Sequence, residues 1–260
     1  MAKDGFVATS HGRIHYLEAG SGRHTLILLH SNGGSAYEFE DMIDDMGASW
    51  HVLAWDMPGH GDSEPITKHY SVEAYADAVV AFMDALGVQT ASVLGSSIGG
   101  AICVALGARH ADRIDILFPT ETPTRSNDVW TNSWPTIEKN YCNPVQTFDQ
   151  VAPRFRHVTP HHMDRWNVDR QKAGAWTMLD VMWALREYDV FADIPRITTQ
   201  TCVIFGDKGP TIAGVDNFRT GLPAAPGVIM KDCGHFPMND DPAELARIIN
   251  GQKAGLAKAS

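Results

Sequence analysis

The pentapeptide Gly-Ser-Ser-Ile-Gly at residues 95–99 strongly restricts the folds that this chain can adopt. A short apolar run at 90–94 precedes it and is typical of a buried strand, and the apolar run at 101–106 that follows is typical of a buried helix. A Gly-x-Ser-x-Gly turn at such a junction raises a serine hydroxyl above the end of a sheet, and it needs glycines because strand and helix pack closely. The alternative is a helix that begins with a capping serine. We interpret Ser97 as a nucleophile.

Strand and helix patterns alternate around this turn. Strands are predicted at 6–9, 13–18, 25–29, 50–55, 90–94, 114–118, 201–205 and 227–230. Helices are predicted at 36–46, 71–86, 174–187 and 242–250, followed by a frayed tail over 251–260. This alternation predicts an α/β protein with a mostly parallel, doubly wound sheet whose active groups lie at the carboxyl ends of the strands.

The alternation stops between residues 124 and 195. Five of the seven tryptophans stand in that interval: Trp130, Trp134, Trp166, Trp176 and Trp183. We therefore predict one core domain formed by residues 1–123 and 196–260. A helical cap, residues 124–195, is inserted after the sixth predicted strand.

Charge and composition narrow the function classes. The formal net charge of −10 argues against a nucleic acid partner, because no basic stripe is available to neutralise phosphates. No run approaches 18 apolar residues, so no membrane partner is expected. The four cysteines lack metal-ligand spacing and, with no signal-peptide pattern at the N-terminus, indicate reduced thiols in the cytoplasm. The sequence is compatible with a homodimer.

A serine nucleophile needs a base and an acid that orients the base. His235 is the candidate base, because it stands in Gly-His-Phe-Pro just after the last predicted strand. The triad members of a strand–turn–helix serine enzyme follow one another as serine, acid and histidine. Glu121, at the end of the strand that follows the serine helix, and Asp207, after the next strand, are both in the right interval for the acid.

With these motifs the chain resembles the α/β-hydrolase superfamily over nearly its whole length. Members of the superfamily usually carry the acid three residues after a glycine that closes the penultimate strand, and that position is Gly209 here. Glu121, in Phe-Pro-Thr-Glu-Thr-Pro, stands where zearalenone-hydrolase-type lactonases have a glutamate. The resemblance therefore implies a Ser97–His235–Glu121 triad, with Asp207 as the alternative acid.

The remaining parts of the site are expected around the loop after the third predicted strand, where the resemblance implies Asn32, and in the tryptophan-rich cap. The oxyanion hole is expected from the main-chain amides of Ile98 and Asn32. His30 is expected to support the loop that holds Asn32. An aromatic cap favours a hydrophobic substrate. The candidate substrate contacts are Trp183, Trp130, Ser31 and Pro123.

The predicted activity is hydrolysis of an ester or lactone through an acyl-enzyme, with a zearalenone-type lactone as a candidate substrate. No metal or organic cofactor is needed for this chemistry, and Pro160 interrupts any helical presentation of His157, His161 and His162 as metal ligands. Carbon–carbon bond hydrolysis and cofactor-free oxygenation are alternatives on the same fold. A non-catalytic small-molecule receptor is a third reading.

Overall fold

A computed structural model describes residues 1–253 and residue 256. These residues form one sheet in the order β1-β2-β4-β3-β5-β6-β8-β9, with the short β7 paired to β6. The strands are β1 Lys3–Thr9, β2 Gly12–Ala19, β3 Thr25–Leu29, β4 His51–Trp55, β5 Ala91–Ser96, β6 Ile114–Thr120, β7 Gln200–Thr201, β8 Val203–Gly206 and β9 Gly227–Met230. Pairing is antiparallel between β1, β2 and β4 and parallel elsewhere. The predicted α/β fold with a mostly parallel sheet is confirmed.

Both faces of the sheet are covered, as the continuous apolar runs indicate. Within β3, Ile27 and Leu29 belong to one apolar cluster, while Leu26 and Leu28 belong to a second cluster on the opposite face. All four side chains are fully buried. The sheet is therefore the middle of three layers, with helices on either side.

The helices pack against the two faces of the sheet, and several of them follow one another in the chain between β6 and β7. The α-helices are α1 Ile43–Gly47, α2 Val72–Ala85, α3 Ile98–Arg109, α4 Asn127–Tyr141, α5 Phe148–Val151, α6 Pro160–Glu187, α7 Val190–Asp193, α8 Gly214–Gly221, α9 Pro237–Asp240 and α10 Pro242–Gln252. Four of them, α4 to α7, lie between β6 and β7, with short 3-10 turns beside them. No helix in the described part of the chain has the length and hydropathy needed to cross a lipid bilayer.

Local sequence explains the ends of the long helices. Ser71 caps α2 by accepting a hydrogen bond from the amide of Ala74 at 3.2 Å. Pro160 is the first residue of α6, where a missing N–H costs nothing. Gly174 interrupts α6 with φ 75° and ψ 160°, so the helix is two segments joined at a kink.

Several predicted boundaries were wrong. The helix predicted at 36–46 is a 3-10 turn, Ala36–Phe39, followed by α1. The strand predicted at 201–205 is divided between β7, which pairs with β6, and β8. Helix α8 was not predicted, because its sequence is short and polar. Residues 254, 255 and 257–260 of the predicted frayed tail lie outside the described residues.

Strand register decides which loops meet. Leu29 lies opposite Gly95, Ser96 opposite Thr120, and Gly206 opposite Met230. The loops that follow β3, β5, β6, β8 and β9 therefore leave the sheet at one edge.

Candidate active site

Ser97 stands between β5 and α3 in a strained backbone conformation. Its φ of 56° and ψ of −109° are rare for a residue with a side chain, and its amide donates to the Thr120 carbonyl at 2.9 Å. A Cβ atom on Gly95 would lie 2.0 Å from the carbonyl oxygen of Gly99, and one on Gly99 would lie 2.4 Å from that of Leu29. The glycines thus permit the contact of strand and helix that holds the serine in this geometry.

Glu121 is the carboxylate that faces the His235 ring. It follows β6 directly, is fully buried, and lies 3.1 Å through Oε2 from Nδ1 of His235. Oε1 accepts the amide of Gly206 at 2.6 Å, and the Thr211 hydroxyl also donates to Oε2. Three donors therefore fix a buried anion against the imidazole, which orients Nε2 of His235 away from Glu121.

Gly209 shows why the acid stands at 121. A Cβ atom on Gly209 would lie 2.4 Å from each carboxylate oxygen of Glu121, so this carboxylate occupies the space that a side chain at 209 would need. Asp207, the alternative acid, is exposed and makes no hydrogen bond to His235 among the described residues. Glu121 and not Asp207 is thus the acid beside the histidine.

Ser97 and His235 line one cavity of about 370 Å³. The amide of His235 donates to the Arg154 carbonyl at 2.7 Å, which ties the histidine loop to the helical segment between β6 and β7. Within residues 1–253 no hydrogen bond links the Ser97 hydroxyl to the His235 ring. Catalytic hydrogen bonds are commonly long in ligand-free sites and shorten when substrate binds.

Two of the four candidate substrate contacts line this cavity. Trp130 is 3% exposed and forms part of its wall together with Pro123. Residues of the wall that the sequence did not single out include Arg125, Ile137, Tyr141, Arg154, Met182 and Leu185. They come from distant segments, so only their approach in space identifies them.

The other two candidate contacts do not line it. Trp183 is 39% exposed and packs on Trp134 with ring centroids 4.3 Å apart, because its position on α6 faces outward. Ser31 is buried in the loop after β3, where its hydroxyl donates to Oε2 of Glu38 at 2.5 Å. The predicted roles of Trp183 and Ser31 in substrate contact are therefore not supported by their positions.

The loop after β3 holds Asn32, whose amide is the second candidate oxyanion donor, and neither Asn32 nor Ile98 is among the residues that line the cavity. The side chain of Asn32 is directed elsewhere, with Nδ2 donating to the Met178 carbonyl in α6 at 2.8 Å. His30 supports this loop, since Nδ1 donates to the Ser31 carbonyl at 2.7 Å and Nε2 accepts the Met57 amide at 2.9 Å. Ile98, as the first residue of α3, has an amide without a partner inside its helix.

Three titratable residues in and around the loop after β3, Glu38, His60 and His30, have perturbed pKa values. Burial raises the pKa of Glu38 to about 7, and burial lowers the pKa of His60 to about 3. Burial also lowers the pKa of His30. At neutral pH both histidines are uncharged, which suits the acceptor role of His30 Nε2.

The residues that could hold a metal lie elsewhere. Ligand atoms of His15, Asp56 and Asp62 are within 4.8 Å of one another. Asp56 already accepts His15 Nδ1 at 2.7 Å and the Asp62 amide at 2.7 Å, so this group serves the turn after β4. On α6, the rings of His161 and His162 pair with different carboxylates, Glu40 and Asp41.

Comparison with known proteins identifies relatives. A family model described as alpha/beta hydrolase fold matches residues 24–242. A pimeloyl-(acyl-carrier protein) methyl ester esterase from Neisseria meningitidis serogroup C is 39% identical over 98 residues, 38% of this chain and 36% of that protein. The chain spans only about a third of the length of four such esterases from this species.

Two other relatives are similar over most of the chain. A 2-hydroxy-6-oxononadienedioate/2-hydroxy-6-oxononatrienedioate hydrolase from a Pseudomonas species is 32% identical over 86% of this chain and 86% of that protein. The crystal structure of a bacterial membrane phospholipase A superposes with a TM-score of 0.86 at 25% identity, over 99% of this chain and 87% of that one.

Proposed function

Since the chain belongs to the alpha/beta hydrolase fold family, we propose that it is a serine hydrolase that cleaves an ester or lactone bond of a hydrophobic small molecule. The observation that carries this proposal is the pair formed by buried Glu121 and His235, beside a strained Ser97 at the wall of one cavity. Serine, imidazole and carboxylate in this relation are the parts of a nucleophilic triad. The curated names of the relatives, an esterase and a lipase among them, agree with this reaction class.

The reaction is acyl transfer in two halves. Oγ of Ser97 attacks the substrate carbonyl carbon and its proton passes to Nε2 of His235, while Glu121 stabilises the imidazolium through Nδ1. The amides of Ile98 and Asn32 donate to the oxygen that becomes negative. The bond between the carbonyl carbon and the ester oxygen then breaks, and the leaving alkoxide takes the proton from Nε2 of His235. Water then repeats these steps on the acyl-enzyme and releases the acid.

For the substrate, a zearalenone-type lactone is our candidate. The glutamate at 121 in place of an acid at 209 and the tryptophan at the cavity wall support this choice. Trp130 offers a flat apolar surface to an aromatic ring. The helical segment formed by residues 124–195 acts in this proposal as the cap over the site.

The test is a panel of p-nitrophenyl esters and lactones, zearalenone among them, assayed with the wild-type protein and with Ser97→Ala. We expect the alanine variant to lose at least about 10³-fold in kcat/KM while its thermal unfolding midpoint stays close to that of the wild type. Retention of ester hydrolysis by Ser97→Ala would refute the assignment of the nucleophile.

A second candidate, hydrolysis of a carbon–carbon bond, is favoured by one comparison. The relative from Pseudomonas is named for a hydroxy-oxo-dioate substrate, a name that contains no ester or lactone group. A keto-acid substrate of this kind in the same panel separates the two reactions, because its cleavage does not release an alcohol.

A further inference from the structure

The wall of the catalytic cavity carries positive charge in an acidic protein. Arg125, Arg154 and Lys208 all line the cavity that contains Ser97 and His235. No residue of this wall, in the part of the chain that the structure describes, has a carboxylate side chain. The chain as a whole has 31 acidic and 21 basic residues, so the sign of the wall is opposite to that of the protein.

The three cations are not equivalent. Lys208 is exposed and forms an ion pair with Asp232 at 2.5 Å, which neutralises its charge. Arg154 lies with its guanidinium 5.3 Å above the Trp166 ring, and no described carboxylate pairs with it. The uncompensated charge at the wall therefore belongs to the two arginines.

Arg125 is the better placed of the two for binding a substrate group. It follows Glu121 by four residues, in the segment that leads from β6 to α4. Its guanidinium stacks 4.9 Å above the ring of Trp130, and it makes neither an ion pair nor a hydrogen bond with any residue of the described chain. This cation–π contact holds the guanidinium beside Trp130, and its N–H groups have no partner in the described chain.

The half-buried position of Arg125 makes an anionic partner favourable. Burial lowers the pKa of this guanidinium, although arginine remains charged at any ordinary pH. A desolvated cation without a counter-ion is unfavourable, and a carboxylate that accepts two parallel N–H bonds offsets that cost.

Arg125 also lies where two cavities adjoin. It lines the cavity of about 370 Å³ with the catalytic residues and a neighbouring one of about 390 Å³ toward α8, and Pro123, Pro210 and Thr211 are shared by both. Ser97 lines only the first. A substrate with its carbonyl at Ser97 therefore meets Arg125 as it extends toward the second cavity.

We propose that Arg125 is a specificity-determining residue that binds a carboxylate of the substrate, so that the preferred substrates are esters or lactones that carry a free acid group. This inference rests on the serine hydrolase function proposed above and adds the chemical class of the substrate. It distinguishes this site from one that accepts only neutral apolar esters, and it predicts that a neutral zearalenone-type lactone is a poorer substrate than an ester or lactone with a free acid group.

The test uses matched pairs of esters. For glutaric, adipic and suberic acids, kcat/KM is measured for the mono-p-nitrophenyl ester, which keeps one free carboxylic acid, and for the same compound with that acid converted to its methyl ester. The ratio of the two values reports recognition of the acid group alone. We expect Arg125→Gln to lower this ratio roughly 10- to 100-fold for at least one chain length, because a hydrogen bond to a charged group is lost.

Two variants make the result specific. Arg186 is likewise partly buried and stacked on tryptophans, at 4.8 Å from Trp134 and 5.0 Å from Trp183, but it is outside the cavity wall. Arg186→Gln should leave the ratio within about twofold of the wild-type value. Arg125→Lys keeps the charge and should give a ratio above that of Arg125→Gln. An unchanged ratio in Arg125→Gln, or a lysine variant as low as the glutamine variant, would overturn the proposal.

A binding experiment keeps the inference separate from catalysis. In the Ser97→Ala background, tryptophan fluorescence is titrated with 4-phenylbutyrate and with 4-phenylbutyramide, which differ only in the acid group. We expect tighter binding of the carboxylate, lost on adding Arg125→Gln. If no ester is hydrolysed while this preference is seen, the proposed function fails and the anion site stands. Equal affinity for the two probes in the Ser97→Ala protein contradicts the anion site.

Discussion

Replacing Glu121 by glutamine removes the negative charge beside His235 while keeping nearly the same shape. Oε2 lies 3.1 Å from Nδ1, and two unit charges at that distance attract by about 5 kcal/mol at an effective dielectric constant of about 20. That energy corresponds to about 10⁴ in rate if it is fully expressed in the transition state. We therefore expect Glu121→Gln to lower kcat by roughly 10³- to 10⁴-fold, with a much smaller change in KM.

The assay is release of p-nitrophenol from the best ester of the panel, and Asp207→Asn is the matched control. Asp207 is exposed at the same edge of the sheet but is not bonded to the histidine, so its amide variant should stay within about tenfold of the wild type. A larger loss in Asp207→Asn than in Glu121→Gln would refute our reading of the acid.

The space beside Gly209 allows a second test, in which a carboxylate at position 209 replaces the carboxylate of Glu121. Gly209→Asp alone should be destabilised by about 1–3 kcal/mol, because its Cβ would lie 2.4 Å from the carboxylate oxygens of Glu121. In Glu121→Ala that space is vacant, and adding Gly209→Asp should recover at least about tenfold in kcat over the single alanine variant. No recovery in a folded double variant would show that a carboxylate from 209 does not reach the histidine.

Three further predictions concern residues around the catalytic groups. Asn32→Ala should lower the free energy of unfolding measured in urea by about 1 kcal/mol, because a 2.8 Å hydrogen bond to α6 is lost. It should change kcat less than about tenfold, since the proposed oxyanion donor is the main-chain amide. A loss of kcat of about 10³-fold would show that the side chain takes part. The folded-state pKa of Glu38 is raised from 4.5 to about 7, so its contribution to stability is fully present below pH 4.5 and is lost as the pH rises to 7. The free energy of unfolding of the wild type minus that of Glu38→Gln should therefore fall by at most about 3 kcal/mol between pH 4.5 and about 7. A difference that does not depend on pH would contradict the shift. Trp130→Ala should raise KM for aromatic esters, whereas Trp183→Ala should leave KM within about twofold of the wild-type value. The opposite order would show that Trp183, and not Trp130, contacts the substrate.

The fold and the positions of the catalytic candidates could be predicted because their signals are local. A glycine–serine–glycine turn between apolar runs, and a histidine just after a strand, need only neighbouring residues to be recognised. The parallel register then brings the ends of β5, β6 and β9 to one edge whatever the surrounding loops do. The sequence thus pointed to Ser97, His235 and Glu121 but left two acids open.

Contacts between distant segments were decided only by the tertiary structure. The choice between Glu121 and Asp207 depends on which carboxylate reaches the His235 ring, and no spacing in the chain expresses that distance. The outward position of Trp183 depends on the rotation of α6 against α4, which composition cannot give. Local residue patterns fix which elements form and where they end, whereas the shape and charge of the cavity depend on how side chains far apart in the chain pack against one another.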